Sequence, residues 1–342
     1  MRGNFFLGNH SFEMRELETR ELLEDEVLVK VAFCGICGTD VHIYHGDKGS
    51  AEVHPPVVLG HEFSGTVVEV GKAVYLVKPG DRVTVDPNIY CGKCHFCRTG
   101  RKQLCRELQA VGVTMNGGFA DYCYVPEAQC HLLSPGVSLL SGAMTEPLAC
   151  CLHGIDIAGI RAGDSVCVIG GGPIGLMMVR LARLSGASAV ILSEPVELRR
   201  NLGLEVGADH AIDPFAGPVA DQIEQLTGRR GTDVVIECVG NTSATVQAFE
   251  AAGFGATVLL FSVPKPGTYH SLSLEDVFNK ELKIVGSRIN PDTHARAVSL
   301  INSGRVSLDR LVTHTYPLEK LEEAIIKQTE NDSIKVVVDP SL

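Results

Sequence analysis

At 342 residues, 45% apolar and 21% charged, the chain is long enough for two hydrophobic cores and too apolar to stay disordered. Its formal charge of -11 opposes a nucleic-acid or anionic-membrane surface, which clustered Lys and Arg would hold, and favours a small-molecule substrate. No run approaches the roughly 20 apolar residues that span a bilayer, and the first eight residues lack the apolar core of a signal peptide, so a cytoplasmic protein is expected.

Up to about residue 145 the pattern is short β-rich runs punctuated by Gly and Pro, at 26–33, 63–70, 81–85 and 118–125. They predict an irregular β-barrel. Inside it, Cys34-Gly35-Ile36-Cys37 is followed by Gly38-Thr39-Asp40-Val41-His42. No second C-x2-C pair matches it to close a four-cysteine site, whereas Gly60-His61-Glu62 adds an imidazole and a carboxylate. That donor set belongs to an open, catalytic zinc site. Cys91, Cys94, Cys97 and Cys105 follow at the spacing C-x2-C-x2-C-x7-C, which brings four thiolates to one tetrahedral ion with no free position, a structural zinc. Twelve cysteines would suit a secreted disulfide framework only without these metal-like spacings. Cys123, Cys130, Cys167 and Cys238 stand singly in apolar contexts and read as buried reduced thiols.

From residue 164 the rhythm becomes strand, Gly-rich turn, helix. Strands are expected at 165–169, 189–193, 233–238, 256–261 and 282–287, with helices from the Gly-rich turn to 183, at 196–206 and at 243–252. Such alternation builds a doubly wound parallel sheet. Gly170-Gly171-Gly172-Pro173-Ile174-Gly175 fits G-x-G-x-x-G between a strand and a helix. There, glycines allow a tight turn and close approach of a pyrophosphate to the helix N-terminus. Glu194, ending the next strand, can accept hydrogen bonds from ribose hydroxyls and repels a 2′-phosphate, which favours NAD over NADP. Arg199 and Arg200 read as an exposed helix face, although a guanidinium near Glu194 could accommodate a phosphate. Gly228-Arg229-Arg230-Gly231 reads as a solvated turn. The expected division is 1–147 with 289–342 as one domain and 148–288 as an inserted dinucleotide-binding domain.

The order C-G-x-C-G-x-D-x-H, G-H-E, four-cysteine run and Gly-rich turn resembles, over essentially the whole chain, the zinc-dependent medium-chain dehydrogenases of the alcohol, sorbitol and threonine dehydrogenase superfamily, and most of all the polyol enzymes. The resemblance implies a GroES-like β-barrel catalytic domain with an inserted Rossmann domain, one catalytic and one structural Zn²⁺, and a homodimer or homotetramer. It implies Cys37 and His61 as zinc ligands, with Glu62 as a ligand or an adjacent carboxylate and Cys34 structural. Thr39 would contact the substrate oxygen, Asp40 would orient the zinc-bound imidazole, and His42 would end the proton relay, against the plainer reading of a surface histidine. Glu146-Pro147-Leu148-Ala149-Cys150-Cys151 resembles the E-P-L segment of polyol and threonine dehydrogenases. It points to Glu146 at the zinc, with Cys150 the competing ligand by analogy with alcohol dehydrogenases and both cysteines otherwise small buried thiols.

By the same resemblance Arg288 falls in the region where an arginine helps bind polyols, but the aromatic residue that follows it in sorbitol dehydrogenases is missing, and pairing with an acidic neighbour is an equal alternative. The implied activity is hydride transfer from a polyol or other small secondary alcohol to NAD⁺, giving the ketone. A dehydrogenase of threonine, 2,3-butanediol or a simple alcohol is the nearest alternative. A non-catalytic zinc and nucleotide-binding protein is the alternative of a different class.

Overall fold

Strand Glu26–Gly35 buries Val27, Val29 and Val31 on one face, the period-two pattern of a strand that turns one side to a core. In the computed structural model, which describes residues 1–47, 51–265 and 267–342, this strand is the centre of the first of two units. That unit comprises Met1–Ala149 and Ile289–Leu342, and the second comprises Cys150–Arg288.

The main sheet of the first unit runs in the order Cys130–Leu132, Arg82–Val85, Glu62–Val70, Glu26–Gly35, Lys335–Asp339, Val312–Pro317, and Tyr122–Pro126 also pairs with Glu26–Gly35. Phe63, Val83, Val85, Val125, Val336 and Val338 fill the core between its walls. In register, Gly35 lies opposite Glu62 on one side and Val337 on the other. A strand that returns after the second unit therefore pairs with the end of Glu26–Gly35 on the side away from Glu62, the residue that closes the G-H-E motif.

The expected strand at 118–125 begins only at Tyr122. Residues 117–119 instead bond back to 58–60, with Gly117 N, Gly118 N and Phe119 N donating to the carbonyls of Val58, Gly60 and Leu59 at 2.8, 2.7 and 3.0 Å. The approach requires glycine: Gly60 has φ +95°, and a Cβ there would lie 2.7 Å from Cys34 Sγ and 2.9 Å from Phe119 N. This backbone clamp sits immediately before His61. An N-terminal hairpin, Arg2–Gly8 with Ser11–Glu16, pairs with Val57–Val58 to form a separate three-stranded sheet.

The second unit holds six parallel strands in the order His210–Ile212, Ala189–Ser193, Ser165–Ile169, Thr232–Glu237, Ala252–Leu260, Lys283–Gly286. This is the doubly wound order 3-2-1-4-5-6 of dinucleotide-binding folds. Ser165–Ile169 is buried at every position, as a central parallel strand covered on both faces must be. The chain carries a strand, His210–Ile212, and helices Val219–Thr227 and Leu274–Asn279 where the sequence pattern was too short to announce them. No described helix is long and apolar enough to cross a membrane.

Candidate active site and metal centres

The four-cysteine run folds as a local knuckle. The Sγ atoms of Cys91, Cys94, Cys97 and Cys105 all lie within 4.8 Å of one another, and Cys91 Sγ and Cys97 Sγ are 4.0 Å apart. A tetrahedral Zn–S₄ centre with bonds of about 2.3 Å requires S···S edges of about 3.8 Å, so the set fits zinc. The same separation is far too long for a disulfide. Backbone N–H groups of Cys97 and Arg106 draw the Cys94 thiol down from its ordinary pKa, which prepares it to bind as a thiolate.

A second donor set is assembled from distant pieces. Cys37 is the N-cap of helix Gly38–Tyr44, His61 follows the glycine clamp, and Glu62 opens strand Glu62–Val70. One ligand atom from each lies within 4.8 Å of the others. His61 is 7% exposed and Glu62 1%. Asp40, fully buried, accepts from Cys37 N at 2.8 Å through Oδ2, and its Oδ1 stands 3.6 Å from His61 Nδ1. Neither of these two facing atoms has a hydrogen-bond partner. A small closure would join them and leave Nε2 as the free imidazole donor atom, the arrangement metal-binding histidines use. Burial disfavours a charged His61 imidazole, but the negative charges of Asp40, Cys37 and Glu146 outweigh it and hold the pKa well above the ordinary value. Burial likewise pushes the Asp40 carboxyl up to about 6 against the pull of His61. Three donors of nitrogen, sulfur and oxygen type, with no fourth in the set, fit a zinc ion that keeps a position open.

Thr39 and His42 share the helix that Cys37 caps. His42 is half-buried rather than a free surface side chain, and its Nδ1 lies 3.3 Å from Asp47 Oδ2. Glu146 is buried in the first turn of helix Thr145–Ala158. Its charge reaches His61, but it stands outside the three-donor set. Cys34 is fully buried beneath the set. Cys151, Cys123, Cys130 and Cys167 are buried as expected, whereas Cys150 and Cys238 are only half-buried. Arg288 is exposed at the end of the second unit.

In the second unit the Gly-rich turn links strand Ser165–Ile169 to helix Pro173–Leu184, with Gly172 as N-cap and Pro173 and Ile174 in the first turn. Gly170 N donates to Ser193 O at 2.8 Å. A Cβ on Gly175 would overlap Gly170 O, while one on Gly172 would meet nothing within 4 Å. The third glycine is therefore needed for packing, and the second leaves the open space that an approaching phosphate requires. Glu194, 3% exposed, accepts from Gly171 N at 2.6 Å and from Val196 N at 2.8 Å. Arg199 and Arg200 are half-buried, not an exposed helix face. Arg200 folds back because the end of the preceding strand leaves carbonyls to satisfy, and its Nη1 donates to Glu194 O at 2.8 Å and Pro195 O at 2.7 Å.

Lys335 was not legible as a site residue, yet it contacts Glu62 Oε2 and donates to Ile36 O at 2.8 Å. The only signal was a lysine opening an otherwise apolar run, Val336-Val337-Val338.

Together the barrel, the parallel sheet and the two donor sets define a zinc-binding dehydrogenase, and the chain belongs to that family. Residues 23–135 match the alcohol dehydrogenase GroES-like domain and residues 173–303 match the zinc-binding dehydrogenase domain. It is 36% identical to sorbitol dehydrogenase of Halalkalibacterium halodurans over 97% of each chain. It is also 36% identical to L-threonine 3-dehydrogenase of Bacillus licheniformis, over 92% of this chain and 91% of that one. Among solved structures, a zinc-binding dehydrogenase from Sinorhizobium meliloti 1021, bound to NADP, shares 42% identity and a TM-score of 0.93 over 99% of each chain.

Proposed function

We propose that the protein oxidises a polyol or another small secondary alcohol to the ketone, with NAD⁺ as hydride acceptor. The observation that carries this reading is the three-donor set of Cys37, His61 and Glu62, distinct from a four-sulfur set that leaves nothing open. When bound, zinc would supply Lewis-acid stabilisation of charge on the alcohol oxygen and the nicotinamide cofactor would supply the hydride acceptor. Cys37 and His61 would hold the metal with Glu62 beside them, and Glu146 adds a carboxylate within electrostatic reach of His61. Asp40 fixes Cys37 through its backbone N–H and faces the back of the His61 ring. The Thr39 hydroxyl would accept the alcohol proton while giving up its own to the nicotinamide ribose, from which His42 would take a proton and pass it towards solvent. The contact between His42 Nδ1 and Asp47 Oδ2 favours the tautomer with Nδ1 protonated, which leaves Nε2 free to accept.

Glu194, at the tip of its strand and bonded to the Gly-rich turn, supports NAD over NADP. The relative solved with NADP supports the opposite choice. A β-hydroxy amino acid is the second substrate reading, favoured by a threonine dehydrogenase relative of equal identity. Purified protein screened against polyols, diols, simple alcohols and threonine with each cofactor, followed by reduced-nicotinamide absorbance, separates these readings. The expected result is NAD-dependent, chelator-sensitive oxidation of a polyol. Cofactor binding without turnover on any alcohol would overturn it.

A second copy of the chain is the proposed partner. The edge strand Lys283–Gly286 pairs on one side only, and Tyr269, Leu274 and Phe278 in the same unit are 86%, 79% and 84% exposed. An open edge beside large exposed apolar groups is a docking surface that water covers poorly. Light scattering that gives the mass of one chain at micromolar concentration would remove this reading.

A further inference from the structure

Lys335 is 2% exposed and its ion-pair partner Glu62 is 1% exposed. Its Nζ donates to Ile36 O at 2.8 Å and to Glu62 Oε2. The pair occupies a slot made by a missing side chain: a Cβ on Gly35 would overlap Glu62 Oε2 and lie 2.9 Å from Lys335 Cε. Register explains the placement, because Gly35 stands between Glu62 and the strand that Lys335 opens. One oxygen of Glu62 is thus claimed by the lysine, while the same residue supplies a donor atom within 4.8 Å of those of Cys37 and His61.

A buried carboxylate does not readily tolerate the loss of the lysine that neutralises it. If the ammonium were absent, the strongest cation left within reach of Glu62 would be a metal held by Cys37 and His61. We propose that Lys335 is a positioning residue that restrains Glu62, limiting the carboxylate's engagement with the metal and so keeping one position free for the alcohol. The inference rests on the zinc-site reading above.

The test is the rate at which the holoenzyme releases zinc to a chromogenic chelator, with Cys37→Ala used to identify the phase that belongs to this site. Lys335→Met should slow that phase at least tenfold and lower kcat at least tenfold, with KM changed much less, because a freed Glu62 closes on the ion. Release as fast as wild type, or faster, would overturn the proposal. Should Lys335→Met fold poorly, the double variant Glu62→Gln/Lys335→Met carries the test, since it buries no unpaired charge. It should release zinc at the rate of Glu62→Gln alone, within about twofold, as expected when Lys335 acts only through Glu62. A tenfold difference between those two variants would overturn the proposal. A wild-type protein with no Cys37-dependent phase would instead overturn the zinc-site reading, and this inference with it.

Discussion

The two donor sets of the first unit are built in opposite ways. Cys91 and Cys105, the outer members of the four-cysteine set, are 14 residues apart, and everything the knuckle needs lies between them. The Cys37 set draws on a helix cap, a glycine-clamped turn and a strand start, and its Glu62 is paired with a lysine 273 residues later. The first is local, symmetric in its donors and closed. The second is dispersed and mixed in its donors, three of which are brought together among the described residues. Local closure by four thiolates suits a staple, and a dispersed shell of mixed donors suits a reactive centre.

The sharpest way to break this contrast is to exchange the expected consequences of two cysteine substitutions. Cys37→Ala should remove several kcal/mol of transition-state stabilisation, a loss on the order of 10³-fold or more in kcat/KM, with the thermal midpoint nearly unchanged. Cys97→Ser should do the reverse. Loss of a structural metal costs roughly 4 kcal/mol or more of local stability, so limited proteolysis should cut within 91–105 while the intact fraction keeps its turnover number. If Cys97→Ser abolished turnover in folded protein, or Cys37→Ala unfolded it, the division of labour would fail.

The smallest effect lies outside both sets and gives the baseline for them. His294, 1% exposed, lies tilted against His131 at a ring-centroid distance of 4.8 Å and meets Asn290 Nδ2 at 3.5 Å, and Asn290 in turn bonds Asp86. Burial, aided by His131, holds the His294 pKa well below its ordinary 6.5. The folded protein therefore keeps this ring neutral while the unfolded chain takes up a proton. The associated stability is present above about pH 6.5 and lost as pH falls below it. Burial pushes Asp86 up to about 6 from 3.8, an effect of opposite sign that overlaps the same window, so the His294 contribution is read as a difference between two proteins. As pH falls from 7 to 6, the wild-type thermal midpoint should fall more, or rise less, than that of His294→Gln. An equal change in both would show that the ring makes no such contribution.

Much of this was readable in advance, for identifiable reasons. The four cysteines and the Gly-rich turn are local motifs whose geometry is set by a few consecutive residues. The buried strands Ser165–Ile169 and Ala189–Ser193 are continuous apolar runs bounded by polar turns, so their limits were legible to the residue. Contacts made by register were not. Nothing near Lys335 says that it will meet Glu62, because that meeting depends on a strand pairing closed across the whole second unit in sequence. The expected strand at 118–125 gives way in its first residues to a clamp onto 58–60, since Gly-rich irregular backbone and β-rich patterning look alike until the partner is known. Arg200 turns back from the expected exposed face because its nearest partners are the carbonyls of Glu194 and Pro195, which carry no sequence signal.

The late arrival of Lys335 also orders events during synthesis. The four-cysteine knuckle has all its donors once residue 105 has emerged and can take up zinc while most of the chain is still unmade. Glu62, by contrast, waits for a counter-charge through the making of an entire second unit. A nascent chain that loaded metal at Cys37 and His61 in that interval would do so with Glu62 unrestrained. Full activity is then expected to lag behind zinc uptake, appearing only when the strand Lys335–Asp339 docks against Glu26–Gly35.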